Sequence, residues 1–161
     1  MIVIADAGPL LHLFWVDALA WALPPQEVIV VETVWLEVER YAPDALRDER
    51  LGRIPDIIAV PALLAERQLD SGEEASLAYA LTQPNQSATL VLSDDQQARR
   101  ACQALSLPVT GTLGLISAAF QRGDVSKDTA QTALIELPTR GRFYVKPALI
   151  ARTIETLKTQ P

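Results

Sequence analysis

The chain has 161 residues, of which 49% are hydrophobic and 21% are charged, and its 20 acids outnumber its 14 Lys and Arg to give a net charge of −6. These values are ordinary for one globular domain with a substantial core. Because only one cysteine is present, an internal disulfide and a zinc site made of several cysteines are both excluded.

The first residues carry no sign of an export signal. The stretch MIVIAD lacks a basic region and reaches an acid at Asp6. The longest apolar stretch, PLLHLFWVDALAWAL, includes His12 and Asp17 and is shorter than the roughly 20 residues that a membrane helix needs. We therefore expect a cytoplasmic protein that has no membrane partner.

Short apolar runs alternate with helical patterns along the chain. In chain order, the predicted strands are MIVIAD, EVIVV, IPDIIAVPA, ATLVLS and LPVTG. The predicted helices are PLLHLFWVDALAWAL, ETVWLEVERYA, SGEEASLAYALT, DQQARRACQAL and the region from TLGLISAAFQRG onward, with a break around Pro138–Arg142. The stretch PDALRDERLGR is polar and predicted to be irregular, and Ser71 and Glu74 have the spacing of a capping box. Apolar strands separated by helices predict an α/β fold with a mostly parallel sheet covered on both faces.

Carboxylates follow two of the predicted strands. Asp6 ends the first strand, and the adjacent Asp94 and Asp95 end the strand ATLVLS. Ligands of open parallel sheets bind beyond the carboxyl ends of the strands, so these acids are expected on one rim, within reach of Glu37 and Glu73. Because clustered carboxylates repel one another, we expect a hard divalent cation, Mg²⁺ or Mn²⁺, to hold them together. Metal-assisted hydrolysis of phosphodiesters is the chemistry that such a site favours.

Five blocks of the sequence resemble PIN-domain nucleases in order and spacing. They are IVIADAGPLLHL, VVETVWLEV, LDSGEEASLAYALT, LVLSDDQQARRAC and LPVTGTLGLISAA, which together cover roughly residues 2–120. The blocks are most similar to those of the VapC toxin type. The resemblance implies a PIN-like three-layer fold over residues 1–161, with a core of about residues 1–120 and a helical C-terminal extension of about residues 121–161.

The resemblance also implies a function and a set of site residues. It implies an endoribonuclease, often a dimer and often silenced by an antitoxin, whose metal ligands would be Asp6, Glu37, Glu73 and the pair Asp94-Asp95, with Asp95 favoured as the direct ligand. Thr110 and Thr112, after the strand LPV, are candidates for orienting water or phosphate.

Two departures from the family pattern favour a second reading. Gly8 stands where a small hydroxyl residue is often found, and Glu73 stands where many PIN domains have the shorter Asp. They leave open a PIN-like domain without catalysis that acts as a protein-binding or nucleic-acid-binding module.

Each acidic residue also has a simpler explanation. Asp6 could be a helix N-cap, and Glu37 could pair with Arg40 or Arg99. Glu73 or Glu74 could serve only the helix dipole, and Asp95 could pair with Arg99 alone; Thr110 and Thr112 could be turn and cap residues.

Two further surfaces are predicted to bind partners. The segment 140–161 is basic within an acidic chain, so Arg140, Arg142 and Lys146 are expected to contact RNA phosphates, unless this segment instead pairs with the acidic body. The helix PLLHLFWVDALAWAL is apolar almost all the way round. Its face with Trp15, Leu19 and Ala22 is expected to meet a second copy or an antitoxin, unless the C-terminal helices cover it.

Overall fold

A five-stranded, all-parallel sheet forms the centre of the computed structural model, which describes residues 1–159. The last two residues of the predicted C-terminal extension lie outside the described residues. The strands are β1 (Ile2–Ala5), β2 (Val28–Val31), β3 (Leu51–Ile54), β4 (Thr89–Leu92) and β5 (Val109–Thr110), and their order across the sheet is β3-β2-β1-β4-β5. The prediction of an α/β fold with a parallel sheet is confirmed.

Helices cover both faces of this sheet. They are α1 (Ala7–Trp15), α2 (Leu19–Ala22), α3 (Glu32–Tyr41), α4 (Ser71–Thr82), α5 (Gln96–Ala104), α6 (Thr112–Arg122), α7 (Lys127–Glu136) and α8 (Pro147–Thr159), with short 3₁₀ turns at Pro43–Arg47, Ala62–Leu64 and Gln86–Ala88. Within residues 1–159, none of the helices has the length and apolarity that crossing a bilayer requires.

Alternate residues of β1 point into two separate cores. Val3 and Ala5 belong to the larger cluster, which α1, α2, α3, α6, α7 and α8 complete, whereas Ile4 belongs to a smaller cluster under α4 and α5. All three side chains are fully buried. A strand enclosed on both faces explains why the sequence here is continuously apolar and shows no polar alternation.

The third strand lies in a different place from the one predicted. It is Leu51–Ile54, within a stretch expected to be irregular, and only Ile54 overlaps the predicted strand IPDIIAVPA. Strand β3 is at the edge of the sheet, where Gly52 and the charged Arg53 are tolerated because only one neighbour, β2, must be paired. Pro55 follows directly and cannot donate to a sheet ladder.

The first predicted helix is broken in two. It begins at Ala7 and stops at Trp15, and Asp17 adopts a left-handed conformation with φ of 56° before α2 begins. Aspartate tolerates this conformation better than most residues do. The side chain of Asp17 then forms an ion pair with Arg140, at 2.5 Å.

Much of the apolar face of this region is covered within the chain, which favours the alternative to a partner interface there. Leu19 and Ala22 are buried within the chain, and Trp15 packs against the same core with the guanidinium of Arg142 4.8 Å from its ring centroid. The predicted break near Pro138–Arg142 is present and longer, from the end of α7 to the start of α8 at Pro147.

Neighbouring residues of α7 test whether the C-terminal helices belong to the core. Leu134 is fully buried, whereas Ile135 is 63% exposed. Leu134→Ala should lower the free energy of unfolding by about 2–5 kcal/mol, because it leaves a cavity in a packed core. The control Ile135→Ala should change it by less than about 0.5 kcal/mol. Urea unfolding measures both, and equal effects of the two substitutions would contradict this packing.

Candidate active site

The order of the strands reverses between β1 and β4, which are paired along their whole length. The backbone amide of Asp6 donates to the carbonyl of Leu92 at 2.9 Å, so the pairing continues past the strand ends. Such a switch point is where ligands bind in open α/β sheets. Asp6 therefore lies beside the residues that follow β4, although they are distant in sequence.

A pocket of about 330 Å³ opens at this point. Its acidic lining residues are Asp6, Glu37, Asp70, Glu73, Asp94 and Asp95, and the remaining ones are Ala7, Gly8, His12, Phe143 and Tyr144. All five carboxylates predicted from the sequence thus face one pocket, with Asp70 as a sixth. Lys and Arg are absent from the lining, so the lining offers no ammonium or guanidinium group to balance the negative charge.

Asp94 is held by three hydrogen bonds. Its Oδ1 accepts from the amide of Thr112 at 2.7 Å, and its Oδ2 accepts from the Thr112 hydroxyl at 2.5 Å and contacts His12 Nδ1 at 2.8 Å. The His12 ring stacks on Phe143 with 4.5 Å between ring centroids. A Cβ at Gly111 would come within 2.5 Å of Asp94 Oδ1, so only glycine permits this close approach.

Thr112 itself is fully buried. Its hydroxyl is occupied by Asp94, so we assign Thr112 to positioning that carboxylate and not to contact with phosphate. Thr110 is half-buried at the end of β5, where its carbonyl accepts from the amide of Ser93 at 2.9 Å.

Asp95 caps the helix α5. Its Oδ1 accepts from the amides of Gln97 at 2.6 Å and Ala98 at 2.9 Å. The alternative of an ion pair with Arg99 is wrong, because Arg99 Nη1 donates to the carbonyl of Ser93 instead.

The capping box of α4 is shifted by one residue from the predicted pair. The Glu73 amide donates to Asp70 Oδ1 at 2.8 Å, and the Asp70 amide donates to Glu73 Oε2 at 2.9 Å, so Asp70 and Glu73 form the box in place of Ser71 and Glu74. The same contacts fix both carboxylates at the pocket. The spacing Asp-x-x-Glu in the sequence was the signal that could have identified Asp70.

Burial and mutual repulsion raise the pKa values of three acids in the pocket, Asp6, Glu37 and Glu73. Burial raises the pKa of Asp6 to about 7; the amide of Ala7 acts in the opposite direction, and the charges of Asp70, Glu73 and Glu37 add to the rise. Asp6 sits at the N-cap position of α1 but makes no capping hydrogen bond, so the simple N-cap explanation is insufficient.

The other two raised acids have the same causes. Burial raises the pKa of Glu73 to about 7, opposed by the amide of Asp70 and reinforced by the carboxylates of Asp70 and Asp95, the latter within hydrogen-bonding reach. The pKa of Glu37 is raised by burial and then by Asp70. Glu37 forms no ion pair with Arg40 or Arg99 among residues 1–159, contrary to the simpler explanation considered for it.

The chemistry of these donors suits a hard divalent cation. Carboxylate oxygens are the ligands that Mg²⁺ and Mn²⁺ prefer, and a cation would relieve the repulsion that the raised pKa values report. As the side chains stand, no three Asp, Glu, His or Cys residues within 1–159 are arranged to hold one ion. Binding would therefore require side-chain movement, most readily of Asp6 and Glu37, which form fewer hydrogen bonds than Asp94.

Two of the three residues in the predicted basic cluster contact the body of the protein, which favours the alternative to RNA binding. Arg140 pairs with Asp17 and Glu136, and Arg142 lies over Trp15, so both interact with the body of the protein. Lys146 is exposed. Sequence reasoning instead missed Phe143 and Tyr144, which line the pocket from the same segment and gave no recognisable pattern.

The raised pKa of Asp6 predicts how stability depends on pH. An unfolded Asp loses its proton near pH 4 and folded Asp6 near pH 7, so the metal-free protein should lose stability as the pH rises from about 4 to about 7. Asp6→Asn removes this loss, so its stabilising effect should be small near pH 4 and largest above pH 7. Chemical unfolding across this range measures it. The exposed Asp44→Asn should not alter the profile, and parallel curves for Asp6→Asn and wild type would contradict the assignment.

A comparison with protein families agrees with the fold. Residues 2–159 match the family model described as DUF3368: PIN domain. Comparisons with curated proteins and with solved structures gave no significant match. PIN domains are generally nucleases, so the match supports a hydrolase acting on nucleic acid. Because the family model matches nearly the whole chain, this protein belongs to the PIN domain family.

Proposed function

We propose that this protein is a metal-dependent endoribonuclease that hydrolyses RNA phosphodiester bonds at the acidic pocket. One observation carries the proposal: six carboxylates face a single pocket at the switch point of the sheet, without a Lys or Arg in its lining. A purely structural cluster of acids would be expected to have basic partners. Uncompensated acids of this kind are expected where a cation and a phosphate complete the charge balance.

We assign the binding of Mg²⁺ or Mn²⁺ to four carboxylates, those of Asp6, Glu37, Glu73 and Asp95. Asp70 is a further carboxylate beside them. When bound, the ion would activate water and neutralise charge on the phosphoryl group and the leaving oxygen. Asp94 has a different role, because its oxygens already bind Thr112 and His12. It keeps the His12 ring and the start of α6 in place beside the substrate.

An exposed aromatic ring supports a single-stranded substrate. Tyr144 is 98% exposed although it lines the pocket. Exposed aromatic rings stack on unpaired bases, and this contact contributes roughly 1–3 kcal/mol per base in proteins that bind single strands. A toxin-type role, an antitoxin partner and a homodimer remain predictions of the family resemblance. A cytoplasmic location remains a prediction from the sequence itself.

The first test removes one carboxylate from the pocket. Asp6→Asn should abolish Mn²⁺-dependent cleavage of single-stranded RNA while the protein stays folded, because the residue is central to the acid cluster. Asp44→Asn, purified in parallel, removes a charge from an exposed site and should cut like wild type. Cleavage of labelled RNA on a gel measures both, and an Asp6→Asn protein as active as wild type would refute the proposed site.

The second test separates a nuclease from a non-catalytic binding module. Gly8 in place of a hydroxyl residue, and the absence of a preformed ligand set within residues 1–159, favour the module. If the nuclease proposal is correct, millimolar Mn²⁺ should raise the melting temperature, because a ligand that binds only the folded state stabilises it. The rise should be larger above pH 7 than at pH 5, because at pH 5 protons compete with the metal for the carboxylates of Asp6 and Glu73. An unchanged melting temperature, together with no RNA cleavage, would favour the module.

A further inference from the structure

A second depression adjoins the acidic pocket. It has a volume of about 430 Å³ and is formed by the end of β5, by α6 and by α8. Asp94 and Phe143 line both depressions, so the two lie next to each other. We call the second depression the arginine groove, because Arg99 of α5 and Arg152 of α8 are the two basic residues that line it.

The charge of the arginine groove is opposite to that of the acidic pocket. Its single acidic lining residue, Asp94, is already engaged by Thr112 and His12. Within the described part of the chain, neither Arg99 nor Arg152 forms an ion pair. Acids outnumber bases in this protein, so two arginines without carboxylate partners beside the acidic site are available to an external anion.

Hydroxyl groups on the groove walls present acceptors. The hydroxyl of Ser117 donates to the carbonyl of Leu113 at 3.0 Å, and the hydroxyl of Thr153 donates to the carbonyl of Leu149 at 2.9 Å. Since their protons are used within the helices, these oxygens can only accept from a ligand. A ribose 2′-hydroxyl can donate to them, whereas deoxyribose cannot.

We propose that the arginine groove binds the ribose-phosphate backbone of the single-stranded RNA next to the bond that is cut. Arg99 and Arg152 contact a phosphate, and Ser117 and Thr153 accept hydrogen bonds from ribose. This inference rests on the proposed endoribonuclease function and assigns its substrate path. It also replaces the predicted cluster of Arg140, Arg142 and Lys146 as the main phosphate-binding surface.

Binding is measured separately from cleavage. Fluorescence anisotropy with a short labelled single-stranded RNA, in EDTA and in the Asp6→Asn background, keeps the RNA intact. Arg152→Gln should weaken binding about tenfold, as expected for a charge-assisted contact, and lower the slope of log K against log salt by about 0.7. A DNA strand of the same sequence should bind less tightly than the RNA.

Arg100→Gln is the matched control. Arg100 is also exposed and lies on α5 next to Arg99, but it does not line the groove. It should leave the affinity and the salt slope near those of the parent. If Arg152→Gln behaves like Arg100→Gln, the groove is not the RNA site. If RNA and DNA bind equally, the ribose contact is wrong.

A small substrate distinguishes failure of this inference from failure of the proposed function. Bis(p-nitrophenyl) phosphate is a diester too short to extend from the acidic pocket along the groove. In the presence of Mn²⁺, the Arg152→Gln protein should have the same kcat/KM as wild type for this compound and a lower kcat/KM than wild type only for RNA. Loss for both substrates would place Arg152 in the acidic site and overturn the groove. If wild type hydrolyses neither, the nuclease proposal fails, while the anisotropy measurements still decide whether the groove binds RNA.

Discussion

The parallel pairing of β1 with β4 is the contact on which the site depends. All four residues of β1 are paired with β4, and the side chains of Val3, Ile4 and Ala5 are enclosed by helices on both faces of the sheet. A one-residue change in register would move each buried side chain to the opposite face, so the register is strongly specified. With the register set, Asp6 must emerge beside Ser93, and the acids after the two strands must share one rim.

Hydrogen bonds to local backbone and side-chain donors hold the repelling carboxylates at that rim. Thr112 holds Asp94, the amides of α5 hold Asp95, and a capping box holds Asp70 against Glu73. Asp70, Glu73 and Asp95 each use one oxygen in these local contacts, whereas Asp94 uses both of its oxygens. The pocket gathers these acids, although within residues 1–159 they do not yet form a ligand set for one ion. The raised pKa values of Asp6 and Glu73 reflect their burial and mutual repulsion in the metal-free protein.

The positive charges are distributed to complement this site. Arg140 and Arg142 connect the segment after α7 to the body of the protein, and this segment carries Phe143 and Tyr144 to the pocket. Arg99 and Arg152 form no such ion pairs within the described residues. The RNA that we propose as substrate, although repelled by the acidic pocket, would meet these two positive charges in the adjoining groove, where Asp94 and Phe143 line both depressions.

Local patterns in the sequence were sufficient to predict the parallel α/β class and the meeting of Asp6, Asp94 and Asp95, because buried strands are continuously apolar and their carboxyl ends share one edge. Glu37 and Glu73 lie on helices, and the resemblance to PIN-domain nucleases was needed to assign them to the same site. Features that depend on contacts between distant segments were not predictable in this way. The edge strand Leu51–Ile54 has a weak apolar pattern and exists because β2 offers it a partner. Three such features were decided only when α6, α7 and α8 folded back onto the sheet: the packing of Leu19 and Ala22, the ion pair of Arg140 with Asp17, and the meeting of Arg99 and Arg152 in one groove. Each joins residues that are distant in sequence, and the sequence around one carries no sign of the other.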